Sequence, residues 1–359
     1  MKIIVAIDSF KGCLTSNEAN QAAAAGIRNA CADAEVTQLT VSDGGEGFME
    51  AFYEAVGGEK VAVTVKDPLM RNITARYLLK GQTAIVETAQ ASGLTLLAPD
   101  ERRPLVATSY GTGQLVADAV KRGARQVIVG LGGSATCDAG KGMLRALIDA
   151  LNPHGRWDGM EALRNVDFTI ASDVENPLYG KNGAACVFGP QKGATPEMVS
   201  MLDEQAKRFA AISARHFGYD RSQMKGAGAA GGLGYAFLQY LNADYQTGIE
   251  LLLQTIHFKE LLADADLVIT GEGAADSQTL MGKLPMGILH HAVNVPVCLI
   301  AGRVSDRERL LHAGFALVEC INPPDIAPEV AIRKEVAQQN ITETIRRIIS
   351  YKKRRLAGG

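Results

Sequence analysis

The chain lacks most of the features that announce a metal centre, a redox pair or a membrane. Its six cysteines, Cys13, Cys31, Cys137, Cys186, Cys298 and Cys320, never form a C-x-x-C pair, which removes the usual zinc and dithiol motifs. Cys137 reads as a small buried thiol. Its six histidines show no metal-ligand spacing, and the adjacent His290 and His291 read as exposed residues of a helix. No apolar run approaches the roughly 18 residues of a membrane-spanning helix. A strand is expected from residue 2, with no charged region before an apolar one, so no signal peptide is expected either. The net charge of −2 gives no electrostatic reason to bind nucleic acid or a membrane surface. The basic cluster Lys352 to Arg355 fits the end of a C-terminal helix, where cations suit the dipole. A reduced, cytoplasmic protein is expected, and a homo-oligomer stays open. Two phosphate motifs are missing as well. Gly140-Lys141 and Gly282-Lys283 are followed by Gly and Leu, so neither is a G-x-x-x-x-G-K-[ST] loop. The protein-kinase catalytic loop and its D-F-G partner are absent too.

What is present is a repeated design. The 359 residues are 47% hydrophobic and 21% charged, which is ordinary globular composition, enough for a large core without disulfides and long enough for two domains. Four apolar runs each end in a polar, glycine-rich loop. Lys2 to Ile7 leads into Asp8-Ser9-Phe10-Lys11, and Gln38 to Ser42 into Asp43-Gly44-Gly45-Glu46-Gly47. Gln126 to Val129 leads into Gly130 to Gly140, and Asp266 to Thr270 into Gly271 to Lys283. Ligands of α/β proteins bind at the carboxyl ends of strands, and helix N-termini there point N–H groups at anions. The stretch from Thr270 to Lys283 therefore reads as a strand-to-helix turn suited to phosphate and metal.

Strand and helix alternate at both ends of the chain. Strands are expected at 2–7, 36–41, 266–270, 296–301 and 316–321. Helices are expected at about 16–30, 46–56, 257–263, 284–293, 306–313 and 329–355. This pattern implies a parallel sheet covered by helices on both faces. Residues 60–65, 73–79 and 83–87 instead read as an antiparallel meander, with turns at Asp67-Pro68 and Lys80-Gly81-Gln82. Residues 104–130 return to helix then strand, and a long helix is expected near 196–217. The expected fold is α/β: a doubly wound, parallel Rossmann or flavodoxin-like domain interrupted by a second α/β domain containing antiparallel strands. Residues 1–58, about 104–136 and 262–359 make the first domain, and about 59–103 and 137–261 the second. A hinge and a ligand cleft between them are expected.

Candidate site residues follow from the loops. Asp8, Ser9 and Lys11 bring a carboxylate, a hydroxyl and an ammonium within four residues. Asp43 ends the next strand, where it either serves the reaction or caps a helix. Glu272 and Asp276 offer oxygen ligands for Mg²⁺, and Lys283 could balance phosphate charge. Asp173 follows the run Phe168 to Ala171, and Lys192 lies in Phe188-Gly-Pro-Gln-Lys-Gly193. Gly226, Gly228 and Gly231 form G-x-G-x-x-G, but polar residues 221–225 precede it where a dinucleotide fold needs a strand. That loop cradles a phosphate or substrate, or else lets helices pack closely.

The set of motifs resembles the bacterial glycerate kinases of type I. The carriers are Ala6-Ile-Asp-Ser-Phe-Lys11, Asp43 to Gly47, Gly132-Gly-Ser-Ala-Thr-Cys-Asp138, Phe188 to Ala194, Gly226 to Gly234 and Thr270 to Lys283. They occur in the family order over essentially the whole chain. The resemblance implies transfer of the γ-phosphoryl group of ATP, with Mg²⁺, to a hydroxyl of D-glycerate. The 2-phosphate is the expected product and the 3-phosphate the alternative. Phosphoryl transfer needs positioning and charge neutralisation more than covalent chemistry. Asp8 or Asp43 then orients the hydroxyl and accepts its proton, while Glu272 and Asp276 hold Mg²⁺. Lys11 and Lys283 neutralise phosphate, or one of them pairs with the substrate carboxylate. Gly44, Gly45, Gly132, Gly133, Ser134, Asp138, Asp173, Lys192 and the 226–231 glycines bind substrate or nucleotide. Three departures stand out: Ile7 for Pro, Cys137 and Ala139 for Asn and Gly, and Ala274 where many relatives carry Arg. If that Arg stabilises transition-state charge, Arg303 or Arg71 must supply it here. The competing readings are a kinase of another small hydroxy acid, a nicotinamide-dependent reductase, and a non-catalytic two-domain ligand-binding protein. The reductase would need a glycine fingerprint that residues 8–12 lack.

Overall fold

A computed structural model describes residues 1–10, 12–42, 44–45, 47–152, 155–281 and 283–357. The expected residues Lys11, Asp43 and Glu46 therefore lie outside the described set, as does Gly282. Among the described residues eleven strands form two sheets, and the chain divides into two units, residues 1–43 with 249–359, and residues 44–248.

The first unit contains β1 (Lys2–Ile7), β2 (Glu35–Gln38), β9 (Leu267–Ala275), β10 (Val297–Val304) and β11 (Leu317–Cys320), in the order β11-β10-β9-β1-β2. Every pairing is parallel. Counted within the unit this is the flavodoxin-like order 2-1-3-4-5, whose switch point lies between the first and third strands. Here those strands are β1 and β9. Alternate residues of the strands go to one face, as a period of two requires. Ile3, Val5, Ile7, Leu267, Ile269, Cys298 and Ile300 join Ala19, Ala23, Ile27, Ile341, Ile345 and Ile349 in one core. The last six belong to helices Ser16–Ala30 and Lys334–Ala357, which cover that face. The first of these helices starts as its sequence dictates. The Thr15 hydroxyl accepts the Glu18 N–H at 3.2 Å, and the Glu18 carboxylate accepts the Thr15 N–H at 3.0 Å. Such a capping box contributes on the order of 1 kcal/mol.

The second unit contains β3 (Glu59–Lys66), β4 (Asn72–Lys80), β5 (Thr83–Glu87), β6 (Gln126–Gly130), β7 (Asp167–Ala171) and β8 (Asp244–Gln246), neighbours in that order. β3, β4 and β5 pair antiparallel, and β5 through β8 pair parallel. The meander expected from 60 to 87 is present. The segment 104–136, expected in the first domain, departs from that placement, because β6 is hydrogen-bonded between β5 and β7. A helix followed by a strand looks alike in either sheet, and only the pairing partner tells them apart. The expected helix 46–56 spans Phe48–Val56, and its N-terminal N–H groups at Gly47 and Met49 donate to the buried carboxylate of Glu87.

One expected boundary moves. β9 does not end at Thr270 but runs to Ala275, with Gly271, Glu272, Ala274 and Ala275 paired to Ile300, Ala301, Arg303 and Val304 of β10. The glycines are strand residues here. A Cβ on Gly271 would lie 2.5 Å from the Ile300 carbonyl oxygen, a close backbone approach of the kind that glycine in a strand often marks. No helix among the described residues is long and apolar enough to cross a membrane.

Candidate active site

In the first unit the switch point is pinned by buried polar groups. The Thr270 hydroxyl donates to the Ala6 carbonyl at 2.8 Å. Asn20 accepts the Ile7 N–H through Oδ1 and donates to the Leu39 carbonyl through Nδ2. The Ser16 hydroxyl donates to the Ile7 carbonyl at 2.6 Å and accepts the Val41 N–H. These side chains close the ends of β1 and β2, and sequence reasoning did not single them out. The Asp8 N–H then donates across the switch point to the Gly271 carbonyl at 2.9 Å, and the Asp8 carboxylate accepts the Ser9 N–H at 2.7 Å. Phe10 and Leu14 exchange backbone hydrogen bonds that turn the chain back toward the helix cap.

A cavity of about 480 Å³ lies in the second unit, but the cavity that touches the predicted residues is in the first, at about 710 Å³. Its polar lining comprises Asp8, Ser9, Glu272, Lys283, Arg303 and Asn322. Ligand sites of this size and position are the default expectation for an open parallel sheet.

Glu272 is a buried carboxylate on its wall. It is 7% exposed, its Oε1 accepts the Thr279 hydroxyl at 2.6 Å, and its Oε2 lies 3.7 Å from Lys283 Nζ. Burial pushes its carboxyl above the ordinary glutamate value, Thr279 and Lys283 oppose that, and nearby Asp276 adds to it. A buried carboxylate disfavoured in its charged form would gain from a bound cation. Asp276 itself organises the turn after β9. Its Oδ1 accepts the Gln278 N–H at 2.8 Å, and its own N–H donates to the Thr279 hydroxyl at 3.1 Å. The turn thus delivers Thr279 to Glu272, and Asp276 is not among the residues lining the cavity. Lys283 precedes helix Leu284–His291 as its N-cap.

Of the two candidate arginines, Arg303 is the one that lines this cavity. It stands opposite Ala274 in the β9–β10 register, so the residue directly across from it offers a methyl group. It lines the cavity, and among the described residues it has no ion pair. Arg71, the other candidate, is committed elsewhere, to Asp67 at 2.5 Å and to Glu101 at 2.7 Å.

The remaining predicted residues belong to the second unit, where they hold loops together at the carboxyl edge of its sheet. Gly132 donates its N–H to the Gly44 carbonyl at 3.0 Å, and a Cβ on Gly132 would lie 2.1 Å from Gly45 Cα. Two glycine-rich motifs distant in sequence therefore abut. The Gly133 carbonyl accepts the Leu94 N–H. Lys192 is 3% exposed and donates to the Ser134 hydroxyl at 2.9 Å and the Thr136 carbonyl at 2.8 Å; burial pushes its ammonium below the ordinary lysine value. Asp138 accepts the Ser109 N–H and hydroxyl at 2.9 Å each, and the Gly140 and Gly142 N–H groups at 3.0 Å. Cys137 is buried, as its sequence context suggested. Asp173 follows β7, in the segment where the Ser172 N–H donates to the Gln246 carbonyl.

The G-x-G-x-x-G loop is packed against backbone. The Gly228 N–H donates to the Asn176 carbonyl, and a Cβ on Gly228 would lie 2.3 Å from the Pro177 carbonyl oxygen. Gly226 faces the Tyr245 ring in the same way. Gly231 has φ of +68°, and a Cβ there would meet the Thr136 carbonyl oxygen at 1.8 Å. Close packing is what these glycines do in this structure.

The comparisons agree with the motifs. The model of the glycerate kinase family matches residues 3–156 and 155–353. A glycerate kinase of Bacillus subtilis (strain 168) is 41% identical, with 97% of each chain covered. A glycerate 2-kinase of Escherichia coli (strain K12) is 39% identical over 87% of this chain and 88% of its own length. A crystal structure from Salmonella typhimurium LT2 superposes with a TM-score of 0.83 at 39% identity, covering 99% of both chains. With a family match over nearly its full length and relatives at about 40% identity, the chain belongs to the glycerate kinase family.

Proposed function

We propose that the protein transfers the γ-phosphoryl group of ATP to the 2-hydroxyl of D-glycerate. The observation that carries this reading is the switch-point cavity of the first unit. It gathers Asp8 and Glu272, two carboxylates, with Lys283 and Arg303, two cations, in a chain of the glycerate kinase family. Phosphoryl transfer calls for that composition: acceptors to orient the hydroxyl and hold a metal, and cations to spread phosphate charge. The name of the Escherichia coli relative supports the 2-position.

Asp8 orients the glycerate hydroxyl and accepts its proton as the oxygen attacks phosphorus. Lys283 and Arg303 face the phosphate oxygens, and Arg303 can offer two parallel N–H donors. Mg²⁺ is bound through one or two carboxylates plus substrate phosphates, and Glu272 with Asp276 or Asp8 fits that demand. Glu272 fits best, being buried with its charged form under-compensated. The bound metal would neutralise charge on the β- and γ-phosphate oxygens. Lys11 and Asp43 enter this reading from sequence alone. Ser134, Asp138 and Lys192 fix the loop after β6 within the second unit. Six free thiols suit a reducing, cytoplasmic setting.

The test is an assay of the purified protein with D-glycerate, ATP and Mg²⁺, with the product identified by phosphorus NMR. 2-Phosphoglycerate is expected. 3-Phosphoglycerate would overturn the choice of hydroxyl and keep the kinase. No phosphorylated glycerate from folded protein would overturn the reading.

A further inference from the structure

The polar residues of the 710 Å³ cavity occupy only part of its wall. Another part is apolar and comes from one stretch after β11, with Pro323, Pro324, Ile326, Pro328 and Ile332 among its lining residues. Ile332 is 61% exposed, so this apolar surface is not buried by the fold itself. The stretch is also short of hydrogen-bond donors. Proline has no N–H, which removes three of the five. The Ile326 N–H is bonded to the Pro323 carbonyl and the Ile332 N–H to the Pro328 carbonyl. The polar side chain next to the wall is engaged at both ends. Asn322 donates to the Gly302 carbonyl at 2.8 Å and accepts from the Asn340 amide at 2.9 Å. The Cys320 thiol turns to the Gly302 carbonyl.

We propose that this wall holds the purine of the nucleoside triphosphate by packing alone, and that the enzyme therefore accepts guanine and hypoxanthine nucleotides as phosphoryl donors alongside ATP. The inference rests on the kinase reading above and adds the polarity of the nucleotide in the cavity: phosphates toward Lys283 and Arg303, base toward Pro323 to Ile332. Telling adenine from guanine takes a hydrogen-bonding group, donor or acceptor, aimed at positions 1 and 6 of the purine. The five wall residues bring only apolar side chains to those positions, and their backbone has no unbonded N–H. A site built to hydrogen-bond its ligand rejects the wrong one by about 10⁴-fold or more, whereas an apolar pocket separates similar shapes by only about 10- to 200-fold.

The experiment compares kcat/KM for ATP, GTP and ITP with D-glycerate in the wild-type protein, and repeats the ATP series with Ile332→Glu. GTP and ITP are expected within about tenfold of ATP. Ile332→Glu, an exposed position that the fold does not need, is expected to raise the KM for ATP by about tenfold while leaving the KM for glycerate unchanged. A preference for ATP of about 10³-fold or more would overturn the packing-only recognition. An unchanged KM for ATP in Ile332→Glu would overturn the placement of the base. If no nucleotide phosphorylates glycerate in the wild-type protein, the kinase reading fails and this inference falls with it. ATP turnover without GTP or ITP turnover removes this inference alone.

Discussion

Arg303 offers the sharpest test of the site, because the structure separates what it does for the fold from what it would do for a substrate. It is exposed, and its side chain has no ion pair or hydrogen bond among the described residues. Replacing it with Ala should therefore leave stability within about 0.5 kcal/mol of wild type. In the cavity it would meet phosphate oxygens, where a hydrogen bond to a charged group contributes about 1.5–3 kcal/mol. The cavity is open to water, so one such bond is the fair allowance. At about 1.4 kcal/mol per factor of ten, that is a loss of about 10- to 150-fold in kcat/KM for ATP. Arg303→Lys keeps the charge but not the planar fork, and should recover only part of the loss. Steady-state kinetics with ATP and glycerate varied in turn, together with a thermal melt, make the assay. A variant that melts like wild type yet stays within about threefold in kcat/KM for ATP would refute the role. So would a loss confined to the KM for glycerate.

Two carboxylates give further tests. Burial holds the Glu272 carboxyl above its ordinary value, so its contribution to stability is full below the unfolded glutamate pKa and is lost as pH rises through the raised folded value. Glu272→Gln should therefore shrink the fall in melting temperature between about pH 4 and about pH 8 while turnover collapses; an undiminished fall would contradict the burial argument. Asp138→Ala should act in the opposite way. It strands donors of Ser109, Gly140 and Gly142, at a cost of about 3 kcal/mol, or a drop of about 6–12 °C in the melting temperature of a unit this size. Calorimetry decides this, and a melt unchanged from wild type would turn Asp138 back into a ligand-binding candidate.

Much of this was legible in the chain. Apolar runs ending in glycine-rich loops located strands of both sheets, and the alternation of strand and helix placed the first helix at about 16–30. Two things were not legible, each for a physical reason. Alternation of helix and strand does not name a strand's neighbours, so β6 looked as though it belonged with β1 when its partners are β5 and β7. Glycine was read as a loop former at Gly271, yet there it permits the close approach of β10, and the ladder continues to Ala275. That continuation is what sets Arg303 opposite Ala274. No local pattern could have shown this, since the two residues meet only through strand register.

The same distinction separates functional from structural charge. Asp138 and Glu272 look alike in sequence, each a carboxylate in a glycine-rich loop after a predicted strand. Asp138 accepts from two backbone N–H groups of the following helix start and from both donors of Ser109. Its charge is answered within the fold, and a ligand would have little to add. Glu272 has one hydroxyl at 2.6 Å and an ammonium at 3.7 Å, and its charged form remains disfavoured. A buried carboxylate that the protein leaves under-compensated costs stability, and selection for stability alone would replace it. Its place on a cavity wall beside two cations gives that cost a use, because a bound metal and phosphate would complete the charge balance that the protein by itself leaves open. Donor count thus sorts the two carboxylates: Asp138 belongs to the architecture of the second unit, and Glu272 to the chemistry of the first.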